Sequence, residues 1–258
     1  MFKRLFAGAL FAGLGAGALA ALIELTFVVP LIHEGELYET GALTHFGAAG
    51  PHDAEHATET ATPGAVLLTD VAPETEVEAE ADHDHSTHDH DAAPQTPLAR
   101  ASGTFGFFLV SYTGFALLLI AGFALAERAG HAVTARSGVI WGLCGFFALQ
   151  LAPAFGLAPE LPGGQGAALE LRQVWWTGCV IATGGGLALL AFGRNALALG
   201  AGAVLLAAPH LLGAPTAAYA GVAPPELSAH FTARVLGAGA VCWALLGTIA
   251  GAIWAKAA

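Results

Sequence analysis

Apolar residues in this chain fall into long blocks, and these blocks predict helices that cross a membrane. Each holds about 18 residues or more, which is the length of α-helix needed to span ~30 Å of hydrocarbon. The two weakest blocks carry Pro153 and Pro209 near their ends, although membrane helices tolerate proline where neighbours satisfy the freed carbonyls. The pattern predicts an all-α, polytopic transmembrane helix bundle with six candidate spans, at about 5–32, 104–126, 138–156, 174–192, 195–212 and 232–254.

The first block is open to a second interpretation, as a cleaved signal peptide. Lys3 and Arg4 precede it, and the Ala-Leu-Ala run at 18–20 would suit a cleavage site. The apolar run continues to Ile32, which is too long for the apolar core of a typical signal peptide. We therefore expect an uncleaved first helix, while cleavage would leave five spans in the same orientation.

Composition supports a membrane protein and sets one segment apart. With 55% hydrophobic residues, 11% charged residues and a mean hydropathy of +0.64, the chain lacks the polar surface of a soluble domain. Of its twenty acids, fifteen lie in residues 33–102, where Arg100 is the single Lys or Arg. We expect this acidic segment to be a long disordered loop, because little apolar surface is present to offset the entropy of ordering it. The chain then divides into a first transmembrane helix, an acidic His-rich extracytoplasmic loop and a bundle of five further helices, at 1–32, 33–102 and 103–258.

The distribution of Lys and Arg between the loops predicts the orientation, because cytoplasmic loops carry the excess of positive charge. A cytoplasmic N-terminus leaves three basic residues outside, Arg100, Arg172 and Arg234. It places six inside, Lys3, Arg4, Arg128, Arg136, Arg194 and Lys256. Both termini are therefore expected in the cytoplasm, with residues 33–102 periplasmic or extracellular.

Imidazoles and carboxylates alternate within ten residues of the acidic segment. This His/Asp cluster consists of Asp82, His83, Asp84, His85, His88, Asp89, His90 and Asp91. Nitrogen and oxygen ligands at many compatible spacings suit divalent Co, Ni, Zn or Cu, and a flexible segment suits capture and release better than a closed site. The alternative interpretation is a low-complexity loop that is merely solvated.

A second group of ionisable residues falls at the outer ends of the predicted helices. Glu24 lies in the outer half of the first helix, His33 ends it, and His210 lies near the outer end of the fifth. Such groups are costly at membrane depth and usually face a bundle interior or a water-filled path. These three residues are our candidates for a transport path. Glu24 could instead pair with a polar neighbour for structure, and His210 could lie in the membrane interface.

The two outer loops repeat a short Pro-Glu-Leu motif ahead of an arginine. Proline fixes the turn, and the carboxylate of each loop could form an ion pair with the arginine or serve as a ligand. The structural or gating candidates of these loops are Glu160, Arg172, Gln173, Glu226 and Arg234.

Missing motifs narrow the chemistry. The chain has no GxxxxGK[ST] phosphate loop, so it carries no ATPase domain of that kind, and it has no GxSxG or HExxH motif of a hydrolase. We expect a lipid bilayer as its surroundings and no nucleic-acid partner. An intramembrane enzyme using Glu24 and His210 is a third functional alternative, without a visible nucleophile.

Four stretches and two single residues carry a resemblance to a known family. They are the opening at 1–10, Glu24 and Pro30 along the first helix, the motifs at 159–163 and 171–176, and Ala208-Pro-His-Leu-Leu-Gly-Ala-Pro215. Together they resemble the CbtA family of proposed cobalt transporter subunits. The resemblance implies a bacterial inner-membrane protein of five or six spans, cobalamin-linked cobalt uptake, and a small His-bearing membrane partner, CbtB.

Two functions follow as hypotheses. In the first, the loop captures a divalent cation and the bundle passes it inward. In the second, the chain is a non-transporting capture or sensing subunit that hands metal to a partner. Cobalt is favoured by the resemblance alone, because a flexible His/Asp cluster should hold Ni, Cu or Zn at least as well.

Overall fold

The computed structural model describes residues 2–45, 96–217 and 221–257, and within these ranges the chain is helical. The only β-type pairing there is an isolated bridge between Gly164 and Gly221. The helices are α1 (Phe2–Phe27), α2 (Val29–Glu39), α3 (Pro97–Arg128), α4 (Ala135–Phe146), α5 (Ala152–Ala154), α6 (Leu169–Phe192), α7 (Ala196–Leu212) and α8 (Pro225–Ala257). A π-helical turn, Phe147–Leu151, joins α4 to α5.

Within the described residues, five stretches are long and apolar enough to cross a membrane: Phe6–Phe27, Pro97–Arg128, Ala135–Ala154, Leu169–Phe192 and Pro225–Lys256. The sixth apolar helix, α7, has 17 residues and is shorter. All six predicted blocks thus form helices, and the predicted all-α membrane bundle is confirmed.

The helices extend into both flanks of the segment that we expected to be a loop. α2 continues through Glu39, and α3 begins at Pro97. Thr96 caps α3 by accepting a hydrogen bond from the Ala99 amide at 3.3 Å, and a proline suits the first helical position because its missing N–H would be unpaired there. The loop prediction for residues 46–95 lies outside the described residues.

The bundle has two ends that carry different groups. We call the end bearing α2, the start of α3, the 155–168 connection and the start of α8 the loop end. The opposite end, with the first residues of α1, the 129–134 connection and the end of α8, is called the terminal end. Lys/Arg bias predicts that the loop end faces outward.

Small residues bring the main helix pairs into close contact. A Cβ added to Gly13 of α1 would overlap the Thr113 backbone of α3, and one added to Gly142 of α4 would overlap the Trp243 carbonyl of α8. Such small-residue crossings are typical of membrane helices, where packing drives association. α1, α3, α4 and α8 form the tightly packed unit of the bundle, and α6 pairs with α7 beside it.

Candidate functional site

Glu24 lies on the face of α1 that packs into the bundle. Ala16 and Ala20, two turns and one turn before it, are fully buried, and Glu24 itself is half-buried. Glu24 is the single acidic residue of the 26-residue helix α1. A carboxyl group at this depth is costly unless polar groups or water meet it, so its surroundings matter.

Tyr112 of α3 and Cys242 of α8 are buried polar side chains on the two helices that pack against α1. A Cβ added to Gly17 of α1, about two helical turns before Glu24, would come within 3.2 Å of Tyr112 Cβ. Tyr112 is 3% exposed and Cys242 is 1% exposed, and both belong to the main core between α1, α3 and α8. The structure therefore adds a hydroxyl and a thiol to the predicted carboxylate, on three different helices.

Gln150 is a further polar group inside the membrane. Its Oε1 atom is buried and has no hydrogen-bond partner among the described residues. A Cβ added to Gly239 of α8 would overlap that oxygen, so glycine makes room for it. Gly239 is about one helical turn before Cys242, and it lies on the side of α8 that meets α4 and the π-helical turn.

The backbone around Gln150 is widened into a π-helical turn. The Ala152 amide donates to the Phe147 carbonyl, five residues earlier, and Pro153 has no amide to donate to the Leu149 carbonyl. Single π-turns inside α-helices are frequent at functional sites. We did not predict a role for Gln150, although an isolated amide just before a proline in an apolar block was a usable signal.

Arg234 stabilises the break between α1 and α2. Pro30 interrupts the hydrogen bonds of the first apolar block, and the Leu31 amide pairs with the Val28 carbonyl instead of that of Phe27. The freed Phe27 carbonyl accepts a hydrogen bond of 3.0 Å from Arg234 Nη1. The predicted partner of Arg234 was a loop carboxylate, and the structure gives it this backbone oxygen.

The Pro-Glu-Leu motif around Glu160 forms an ion pair at the same end. Arg172 Nη2 lies 3.5 Å from Glu160 Oε2. Gly166 lies against both groups, since a Cβ there would come within 2.6 Å of Arg172 Nη1 and 3.0 Å of Glu160 Oε2. Gln173 is exposed beside them, and Glu226 is exposed in the first turn of α8.

Another ion pair joins the two flanks of the acidic segment. The Arg100 guanidinium of α3 donates two hydrogen bonds to the Glu36 carboxylate of α2, one of them at 3.1 Å from Nη1 to Oε2. The same guanidinium lowers the pKa of Glu36 below its ordinary value, because it stabilises the charged carboxylate. This exposed ion pair therefore joins two residues that lie 64 positions apart in the sequence.

The candidate histidines lie at the loop end but apart from Glu24. His33 is exposed on α2, and His210 is exposed in the last turn of α7. The His210 ring lies against Phe155, with the ring centroids 5.8 Å apart. Among the described helices α7 packs against α6 alone, so the structure does not bring His210 and Glu24 together.

Metal-binding groups are spread along the loop end. Within residues 2–45, 96–217 and 221–257, no three His, Cys, Asp or Glu side chains converge on one point. The cluster from Asp82 to Asp91 lies outside the described residues, and metal capture by it stays a prediction. The described part of the chain offers the half-buried carboxyl group of Glu24 on α1 and two ion pairs at the loop end.

The sequence model of the CbtA family, described as "Probable cobalt transporter subunit", matches residues 2–255. No curated protein and no solved structure matches the chain. The family match includes Glu24, both outer-loop motifs and the sequence around His210, and its description agrees with a helical membrane protein. Because the match covers nearly the whole length, the chain belongs to the CbtA family of cobalt transporter subunits.

Proposed function

We propose that the chain takes up a divalent transition metal cation, cobalt by the family description, across the bacterial inner membrane. Both termini are then cytoplasmic, and residues 33–102 lie outside. The observation that carries the proposal is the carboxyl group of Glu24 on the buried face of α1, with the buried polar side chains of Tyr112 and Cys242 on the two helices that pack against α1. An ionisable group kept at this depth is typical of an ion pathway.

The proposed pathway begins at the His/Asp cluster, which raises the concentration of metal near the loop end. His33 and His210 receive the ion at the loop end of the bundle. Glu24 is the first acceptor inside the membrane. Its carboxylate supplies charge, Tyr112 and Gln150 supply oxygen, and Cys242 supplies a soft sulfur ligand that suits Co better than Mg or Ca. The loops around this entrance at the loop end are held in place by Glu160, Arg172, Gln173, Glu226 and Arg234.

Placement of the ligands also supports the second candidate, a capture subunit that delivers metal to a partner. Polar groups gather at the loop end, whereas the terminal half is closed by aromatic packing of Phe123 against Trp141 and Trp254. The word "subunit" in the family description implies a partner. A small His-bearing membrane protein of the CbtB kind would be that partner.

Uptake of radioactive cobalt into vesicles, with and without the small partner, separates the two candidates. The key variant is Glu24→Gln, which keeps the shape of the side chain and removes its charge. Its matched control is Glu34→Gln, because Glu34 is exposed on α2, outside the span. Loss of uptake by Glu24→Gln alone supports the pathway, and normal uptake by both variants would refute it.

Deletion of residues 70–95 tests the role of the loop. If the bundle transports, the deletion raises the cobalt concentration needed for half-maximal uptake and leaves the maximal rate unchanged. If uptake disappears while the partner is still bound, the chain is a capture subunit. Nickel and zinc as competitors report the selectivity of the remaining pathway.

A further inference from the structure

An apolar cavity of about 420 Å³ lies in the terminal half of the bundle, separate from the Glu24 group. α4 forms its floor, with Trp141 and Cys144, and α3 and α6 form its walls, with Leu118 and Leu187. Almost all of the lining is hydrocarbon or aromatic. A cavity of this character does not suit a cation and suits an apolar ligand.

The cavity is open sideways to the bilayer. Its two walls, α3 and α6, make no contact with each other in the described chain. Leu118 and Ile140, which line the cavity, are 62% and 63% exposed. The cavity is therefore a groove in the membrane-facing surface, which we call the α3–α6 groove.

The dimensions of the groove match one leaflet. Its lining on α4 and the following π-helical turn runs from Ser137 to Leu149, which is about 18 Å along a helix. That is a little more than half of the ~30 Å hydrocarbon thickness. A groove of this length, with an almost wholly apolar lining, suits the acyl chain of a lipid from one leaflet.

Cations border the groove at the terminal end. Arg136 directly precedes Ser137, and Arg194 follows the lining residue Phe192 by two positions. Both are exposed, as is Arg128 at the end of α3, and none of the three forms an ion pair with a described residue. The terminal end of the α3–α6 groove is thus positively charged where a lipid headgroup would lie.

The nearby acid does not neutralise this charge. Glu127 Oε1 accepts a hydrogen bond of 2.6 Å from Trp254 Nε1 of α8, and neither residue lines the groove. His131 adds another nitrogen donor, because its ring lies against Phe192 with centroids 5.0 Å apart. An anionic headgroup is favoured at this end of the groove over a zwitterionic one.

We propose that the α3–α6 groove binds an anionic phospholipid of the leaflet at the terminal end. Its acyl chain occupies the groove between Leu118 and Leu187, and its phosphodiester lies against Arg136 and Arg194. Bound lipid would fill the gap between the tightly packed unit and α6, and so hold the α6–α7 pair in place. Such a site is independent of whether the chain transports metal.

Native mass spectrometry of the full chain in detergent tests the site, with phosphatidylglycerol and phosphatidylcholine of identical acyl chains as probes. The first variant is Gly184→Leu, since Gly184 lines the groove and a Cβ there meets nothing within 4 Å. Its control is Gly178→Leu on the same helix. A Cβ at Gly178 also meets nothing within 4 Å, and Gly178 does not line the groove. We expect Gly184→Leu to weaken retention of both lipids roughly tenfold and the control to match wild type.

The second variant is Arg136→Gln/Arg194→Gln, with Lys256→Gln as its control. Each arginine lost at a membrane surface should cost roughly fivefold in phosphatidylglycerol affinity. The loss for phosphatidylcholine should be smaller, because its ammonium group offsets the charge of its phosphodiester. The Lys256 variant should keep the wild-type preference. Equal retention of both lipids by wild type, unchanged binding by Gly184→Leu, or a groove occupied by a co-purified protein instead of lipid would overturn the proposal.

Discussion

The unit formed by α1, α3, α4 and α8 differs sharply from the α6–α7 pair. In the unit, Tyr112 and Cys242 are buried between α1, α3 and α8, and Glu24 is half-buried on α1. Among the described helices, α7 packs against α6 alone, and α6 is the least buried of the spans. The tightly packed unit thus holds Glu24, Tyr112 and Cys242, whereas most of the α6 surface is exposed.

The comparison also separates the two residues that the sequence had joined in one path. Glu24 belongs to the unit, and His210 belongs to the end of the pair, where it meets Phe155. An ion could reach both at the loop end, but a direct relay between the two side chains requires the pair to move. The following changes test how far the two regions are independent.

The largest loss of stability is expected from substitution of glycines where helices cross, in the α4–α8 crossing of the unit and in the α6–α7 crossing of the pair. Gly142→Val forces a methyl group into the Trp243 carbonyl of α8, which cannot move without separating the helices, so we expect destabilisation of more than about 3 kcal/mol. Gly186→Val in the α6–α7 crossing meets the Gly202 carbonyl at 2.9 Å but also the flexible Leu206 side chain, and should cost about 1–2 kcal/mol.

Thermal unfolding in detergent, followed by circular dichroism, measures both changes. Gly114→Val on α3 is the control, because a Cβ there meets nothing within 4 Å. Equal losses from Gly142→Val and Gly186→Val would contradict the difference between a rigid unit and a looser pair.

The next effect separates Glu24 from His210 in function. His210→Ala should raise the cobalt concentration for half-maximal uptake several-fold and spare the maximal rate, because His210 is exposed at the loop end and not in the buried group. Glu24→Gln should abolish uptake. Uptake assays on both variants, with folding checked by thermal unfolding, provide the measurement. A complete loss from His210→Ala would place His210 on the obligatory path and require the pair to close over Glu24.

A smaller effect concerns the joint between α1 and α2. Arg234→Met removes the hydrogen bond to the Phe27 carbonyl and keeps most of the apolar side chain. We expect a loss of about 1 kcal/mol, since the bond is charge-assisted but exposed. Arg234→Lys should recover part of it. The free energy of unfolding from denaturant titration reports both, and a neutral Arg234→Met would mean that water satisfies this carbonyl equally well.

Much of the fold followed from hydropathy, because membrane helices satisfy their own backbone groups and need only length and apolarity to form. The site was harder. Glu24 was visible as a lone acid in an apolar block, whereas Tyr112, Cys242 and Gln150 look like ordinary core residues until the helices are packed together. The Arg234 contact could not be predicted, since it depends on a carbonyl that Pro30 frees on another helix.

The smallest effect expected is that of the Glu36–Arg100 pair, which is exposed at the start of the acidic segment. Arg100 lowers the folded-state pKa of Glu36, so the pair stabilises the fold at pH values above the ordinary carboxyl pKa of about 4.3. That contribution is lost as the pH falls through the lower, folded-state value. Glu36→Gln should therefore cost less than about 1 kcal/mol at neutral pH and nothing once wild-type Glu36 is protonated.

Unfolding curves of wild type and Glu36→Gln at a series of pH values would reveal this convergence, with Glu34→Gln as the exposed control on the same helix. Because Arg100 belongs to α3 and Glu36 to α2, away from α6 and α7, the difference between wild type and Glu36→Gln should be unchanged by Gly186→Val in the α6–α7 pair. Additive effects of the two substitutions would support independent regions. A coupling beyond about 0.5 kcal/mol would show instead that the flank of the acidic segment and the α6–α7 pair respond as one body.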